Sequence, residues 1–157
     1  MKKTLVVFAG KRGTTKAAAG RLAAALGDSV AYDLAAGPVP GPEDYEAVAL
    51  AGAAYMGSWD QRLVAWANEH AEALKRKELA LLEIGMNPAA NAAAAALPGL
   101  AARARAYCKP GGSVRWSKLG FMERLIVRMV SGKKGDASNY DEAKLDAFAS
   151  ELKEAWA

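Results

Sequence analysis

The stretch Thr4-Leu5-Val6-Val7-Phe8-Ala9-Gly10-Lys11-Arg12-Gly13-Thr14-Thr15-Lys16 decides the fold. Leu5 to Phe8 are apolar without alternation, which predicts a strand buried on both faces, as in a parallel sheet covered by helices. The loop from Ala9 to Thr15 follows at once and runs into an alanine-rich helical pattern. Gly10 and Gly13 allow a sharp turn and a close backbone approach, and Thr14 and Thr15 supply hydroxyls. The free N–H groups opening the next helix point back into this loop, which makes it a candidate anion site. The alternative is that the Gly and Thr residues serve only turn geometry and capping.

Outward from this unit, the chain alternates strands and helices. A helix is expected from about Thr15 to Leu26, ended by Gly27, then a strand from Ser29 to Leu34. The proline-rich loop Ala36 to Pro42 continues neither element. A third strand spans Tyr45 to Gly52 and opens into the loop Gly52 to Asp60. A helix follows from about Ser58 to Lys75, then a fourth strand from Leu79 to Ile84 with the exit loop Gly85-Met86-Asn87-Pro88. Ala89 to Tyr107 has helical composition broken at Pro98 and Gly99, so two short helices or one kinked helix are expected. Ser113 to Trp116 is the expected fifth strand, Leu119 to Val130 a basic amphipathic segment, and Asp141 to Trp156 the closing helix. This alternation implies βαβ units and one α/β domain over residues 1–157, with a five-stranded parallel sheet of doubly wound order 2-1-3-4-5. In such sheets ligands bind beyond the carboxyl ends of the strands at the switch point, here between strands 1 and 3. The loops Gly10 to Thr15 and Gly52 to Trp59 meet there.

Composition narrows the chemistry. His70 is the only histidine and Cys108 the only cysteine, which leaves no basis for a Cys/His metal site or a Ser-His or Cys-His nucleophile unless His70 serves it. His70, beside Glu69 and Glu72, is expected on a solvated helix face. Cys108, near the end of the Ala/Arg helix, is expected to be a small buried residue. A strand begins almost at the N-terminus, without room for a signal peptide, and no apolar run reaches the ~18 residues of a membrane-spanning helix. A cytoplasmic protein is expected. Net charge is +4, but between Ala101 and Lys134 nine basic residues face one acid, so the rest of the chain nets −4. Such a patch points to an anionic partner: a phosphate, a membrane surface or an acidic protein.

Over nearly its whole length the chain resembles the flavodoxin superfamily, and within it the protoporphyrinogen oxidase branch, small quinone-linked flavoproteins of haem synthesis. The family's first loop has the form Ser/Thr-x-Thr-Gly-x-Thr and wraps the FMN phosphate. Here it reads Gly10-Lys11-Arg12-Gly13-Thr14-Thr15, which keeps Gly13 and Thr15, places Gly10 and Arg12 at the earlier hydroxyl positions and brings a cation beside the phosphate. The branch's second loop, close to Gly-Ala-Ser-x-x-Tyr-Gly, stands here as Ala51-Gly52-Ala53-Ala54-Tyr55-Met56-Gly57. Tyr55, Met56 or Trp59 would lie against the flavin ring, or these side chains simply cap the sheet. Met86 and Asn87 fall where the family's fourth-strand loop meets the flavin. The stretch from Ser113 to Val130 resembles the segment after strand 5 in the oxidase branch. It places Arg115, Trp116, Arg124 and Arg128 on the substrate or partner side.

The resemblance implies a flavodoxin-like three-layer sandwich with FMN as cofactor and a quinone or another redox partner. The basic segment at about 117–134 is expected to lie on an anionic membrane through its 119–130 helix, to dock a partner, or to join the core. Three functions follow: an oxidoreductase of the protoporphyrinogen oxidase type, a non-catalytic electron-transfer flavodoxin, or an FMN-less interaction module. Carrier flavodoxins are characteristically acidic, whereas this chain has a pI near 9.2. No nucleic-acid partner is expected.

Overall fold

A computed structural model describes residues 2–10, 13–114 and 137–157. Lys11, Arg12, Arg115, Trp116, Arg124 and Arg128, with the basic segment at 117–134, lie outside the described residues. Strand β1 (Thr4–Ala9) is buried along its whole length, as its unbroken apolar run requires. It is flanked by β2 (Ser29–Asp33) and β3 (Ala47–Tyr55), both parallel to it. β5 (Glu78–Ile84) pairs with β3, and β6 (Ala106–Gly111) pairs with β5. The parallel path is β2-β1-β3-β5-β6, which is the expected order once the two-residue β4 (Ser58–Trp59), antiparallel to the end of β3, is counted.

Helices cover both faces. α1 (Thr14–Leu26) and α6 (Glu142–Ala155) close one side, where Phe8, Leu22, Leu82, Phe148, Leu152 and Trp156 pack together. The other side carries α2 (Gln61–Glu69), α3 (Ala71–Leu74), α4 (Ala92–Ala96) and α5 (Pro98–Arg103), over Leu5, Val7, Leu50, Leu63, Trp66 and Leu81. Successive β1 residues feed opposite layers, Leu5 and Val7 one and Val6 and Phe8 the other, as the two-residue period of a strand dictates. Arg21 of α1 forks to Asp146 at 2.8 and 2.9 Å and reaches Glu142 at 2.8 Å, joining the first and last helices. No helix among the described residues is long and apolar enough to cross a membrane.

Several expectations are corrected. The fifth sheet strand is Ala106–Gly111, not Ser113 to Trp116, so Cys108 sits in a strand, 7% exposed. The Ala/Arg run stops being helical at Arg103, whose guanidinium donates to the carbonyls of Leu74 (3.0 Å), Lys75 (2.6 Å) and Lys77 (3.2 Å). Ala104 is then extended, and pairing with β5 overrides the run's helical propensity. Ser113–Val114 forms instead a small antiparallel ribbon (β7) with Ala137–Ser138 (β8).

The expected helix from Ser58 to Lys75 begins only at Gln61, because Ser58 and Trp59 return along β3 and Asp60 caps α2 by accepting from the Arg62 N–H at 3.0 Å. It breaks at His70, whose dihedrals leave the helical region. His70 is half-buried rather than solvated, because its ring lies 4.6 Å from that of Trp66.

Candidate functional site

The first wall of the site grows from β1. Gly10 lies so close to Thr15 that a Cβ there would sit 2.6 Å from the Thr15 Cβ and Oγ1, and Thr15 is itself buried. Gly13 is left-handed at φ 88° and immediately precedes α1. Among the described residues no side chain caps that helix, and the first hydrogen bond of its ladder runs from Ala17 N–H to the Gly13 carbonyl at 3.0 Å. The N–H groups of the opening turn therefore face the loop, where the helix dipole also favours negative charge. Thr14 Oγ1 and Ser113 Oγ lie 2.6 Å apart, a tie between this loop and β7 across the sheet edge.

The second wall is a hairpin. β3 runs on past Gly52 to Tyr55 and turns back at once, with Tyr55 opposite Ser58 and Ala54 opposite Trp59. Between them Met56 (φ 54°) and Gly57 (φ 80°) both have positive φ, as a type I′ turn requires. Met56 is the only non-glycine with positive φ among the described residues. Met56 is 62% exposed and Tyr55 37%. They are exposed large apolar side chains at the hairpin tip, and elsewhere among the described residues only Val30 compares.

Trp59 does not belong with Tyr55 and Met56. It is 1% exposed, and its indole N–H donates to the Gly52 carbonyl at 2.9 Å. Its ring fills the space that a side chain at position 52 would take, which excludes it from a solvent-facing wall.

The third wall is the β5–α4 loop. Ala54 and Gly85 approach so closely that a Cβ on Gly85 would meet the Ala54 carbonyl at 3.3 Å. Gly85 N–H donates to the Gly111 carbonyl at 3.2 Å. Asn87 makes a local turn, accepting the Ala89 N–H on its side chain at 3.0 Å. Asn139 braces the loop from outside. Its Nδ2 donates to the Met86 carbonyl at 2.8 Å and its Oδ1 accepts the Gly112 N–H at 2.9 Å. Asn139 N–H in turn donates to the Gly112 carbonyl at 3.0 Å.

The topology thus gathers Gly10, Gly13, Thr14 and Thr15, then Ala53, Ala54, Tyr55, Met56 and Gly57, then Met86 and Asn87, at the carboxyl edge of one sheet. Ser113 and Asn139 join them, and the sequence reading assigned neither to the site. The Gly111-Gly112 pair was the available signal, since Gly111 at φ 98° packs directly against the Asn139 backbone. Among the described residues of these loops no histidine, cysteine or carboxylate stands ready for acid–base work. The arrangement offers backbone N–H groups, hydroxyls and an apolar rim.

A flavodoxin domain family model matches residues 5–141. Among solved structures, the chain is similar to a Fusobacterium nucleatum flavodoxin bound to flavin mononucleotide, at 16% identity over 99% of each chain with a TM-score of 0.59. A short-chain flavodoxin associated with a non-canonical PDU bacterial microcompartment is similar over 100% of both chains, at 14% identity and TM-score 0.62. A Streptococcus pneumonia TIGR4 flavodoxin gives 18% identity over 97% of this chain and 98% of its own, with TM-score 0.57. At these identities the likeness is one of fold. A search of curated proteins found no match.

Proposed function

The chain belongs to the flavodoxin domain family, and we propose that it holds FMN in the crevice between the β1–α1 loop and the β3–β4 hairpin and serves as a flavodoxin-type electron carrier. One observation carries the reading. An uncapped helix N-terminus entered through left-handed Gly13 shares a sheet edge with an exposed Tyr55–Met56 rim. An anionic end and a flat aromatic end are the two things such a crevice accommodates.

When bound, FMN supplies one- and two-electron chemistry. The chain's own part is to bind and orient. N–H groups from the first turn of α1 would hold the phosphate, with Thr14 fixed beside them by its tie to Ser113. Tyr55 and Met56 would shield the ring from water, and the Met86–Asn87 backbone, fixed by Asn139, would orient it. The basic stretch at 117–134 suits an acidic redox partner.

A second reading, the quinone-linked protoporphyrinogen oxidase activity, rests on the sequence resemblance from Ser113 to Val130. Two assays separate them. A carrier loaded with FMN is reduced by a flavodoxin reductase and passes electrons to an acceptor dye, and protoporphyrinogen IX stays unoxidised with or without a quinone. Turnover of protoporphyrinogen IX with a quinone would replace the carrier reading with the oxidase one.

A further inference from the structure

A polar cluster lies beneath the β5–α4 loop, on the face of the sheet that α4 covers. Lys109 of β6 is half-buried there, and its ammonium donates three hydrogen bonds: to the Pro88 carbonyl at 3.0 Å, the Ala90 carbonyl at 2.9 Å and the Asn91 Oδ1 at 2.8 Å. Three is the full donor capacity of a lysine. Among the described residues no carboxylate pairs with it. The charge is thus spent on backbone and amide oxygens of one loop.

Glu83, on β5 and 2% exposed, takes the other half of the same connection. Its carboxyl accepts from the Ala93 N–H at 2.9 Å, at the start of α4, and from the Tyr107 hydroxyl. Burial, with the hydrogen bond to Glu83, pushes the Tyr107 phenol up and so keeps it a donor. The strand geometry brings these groups under the loop. β5 and β6 pair Leu82 with Cys108 but Ile84 with Gly111, so β6 carries one extra residue at this point. Such bulges redirect side chains beside sites. An acid therefore holds the N–H at the entry of α4, and a cation holds the carbonyls just before it.

We propose that Lys109 is a positioning residue for the flavin ring: by clasping Pro88, Ala90 and Asn91 over the Glu83–Tyr107 pair, it fixes the loop that presents Met86 and Asn87 to the crevice. The role toward the ring rests on the FMN reading above, whereas the clasp itself belongs to the protein alone.

The experiment compares wild type with Lys109→Met, Lys109→Arg and Asn91→Ala. It measures affinity for FMN, affinity for riboflavin, which lacks the phosphate, and amide hydrogen exchange of Ala89 and Ala90 in the flavin-free protein. Lys109→Met is expected to weaken FMN and riboflavin by the same factor, about tenfold, and to speed exchange at Ala89 and Ala90 while leaving Ala17 unchanged. Lys109→Arg keeps most of the affinity. Asn91→Ala, which removes one of three bonds, falls between them and supplies the comparison should Lys109→Met not fold.

Three results overturn the proposal. These are faster exchange with unchanged flavin affinity, a loss confined to FMN, and exchange at Ala89 and Ala90 that is indifferent to Lys109. A wild type that binds neither flavin removes the FMN reading and the role toward the ring together. The exchange data would then decide the clasp by itself.

Discussion

Replacing Gly52 with alanine adds one methyl group where the fold has no room for it. A Cβ at position 52 would lie 2.5 Å from Trp59 Nε1, 2.6 Å from Trp59 Cε2 and 2.7 Å from Leu63 Cδ2. Trp59 is 1% and Leu63 0% exposed, so neither moves into open space. Overpacking of this kind costs about 1–3 kcal/mol. Displacing the indole also lengthens its 2.9 Å bond to the Gly52 carbonyl, worth about 1 kcal/mol. The expected loss is thus about 2–4 kcal/mol, or roughly 5–15 °C in Tm for a domain of this size. The damage should reach the site, because Trp59 is the return residue of the hairpin that carries Tyr55 and Met56.

Urea unfolding followed by circular dichroism reads the first effect and an FMN titration the second. Gly20→Ala is the control. Gly20 is exposed within α1 with nothing among the described residues near its Cβ position, so that variant should gain about 0.5–1 kcal/mol. A Gly52→Ala protein as stable as wild type would refute the packing argument for the hairpin.

Other perturbations follow from the same geometry. Gly13→Ala meets no atom of the described residues within 4 Å but must adopt φ 88°, so a strain of about 1 kcal/mol is expected in the melt, with a larger loss of affinity for FMN than for riboflavin. Met56→Asn places a residue that tolerates the left-handed region at φ 54°; stability should rise by about 0.5–1 kcal/mol, while flavin affinity falls with the loss of the apolar cover.

Burial pushes the Cys108 thiol up to about 11 from an ordinary value of 9.0. The folded state therefore keeps a proton that the unfolded chain releases first. The resulting stability is whole below pH 9 and lost as pH rises through 11. Tyr45, Tyr107 and Tyr140 shift in the same direction and add to the alkaline loss. Denaturant midpoints measured from pH 8 to 11 should fall less steeply for Cys108→Ala than for wild type, and parallel slopes would contradict the assignment.

The fold was legible where burial leaves an unambiguous pattern. β1 and β3 are buried nearly throughout and β5 is apolar but for Glu78 and Glu83, and their spacing pointed to the parallel sheet. β6 was not legible. Lys109, Pro110 and Gly111 disguise a strand whose lysine is satisfied by a loop that lies remote in sequence. The hairpin at Met56 was hidden for a similar reason: Gly57 signals half of a type I′ turn, but methionine carries no left-handed preference.

Arg103 and Lys109 counted toward the basic patch in the sequence, yet both donate to carbonyl oxygens within the fold. Charge totals do not distinguish a cation that faces a partner from one that ties down a loop. Ser113 and Asn139 escaped notice because their importance comes from what the topology sets beside them: Thr14 in one case, Met86 in the other.

The most direct test of the account is an FMN titration of the purified full chain, followed by the absorption spectrum after free flavin is removed. Saturation at one flavin per chain is expected, with a yellow protein that keeps its flavin through desalting. A folded protein that stays colourless, with no saturable change in FMN absorbance or fluorescence, would contradict it.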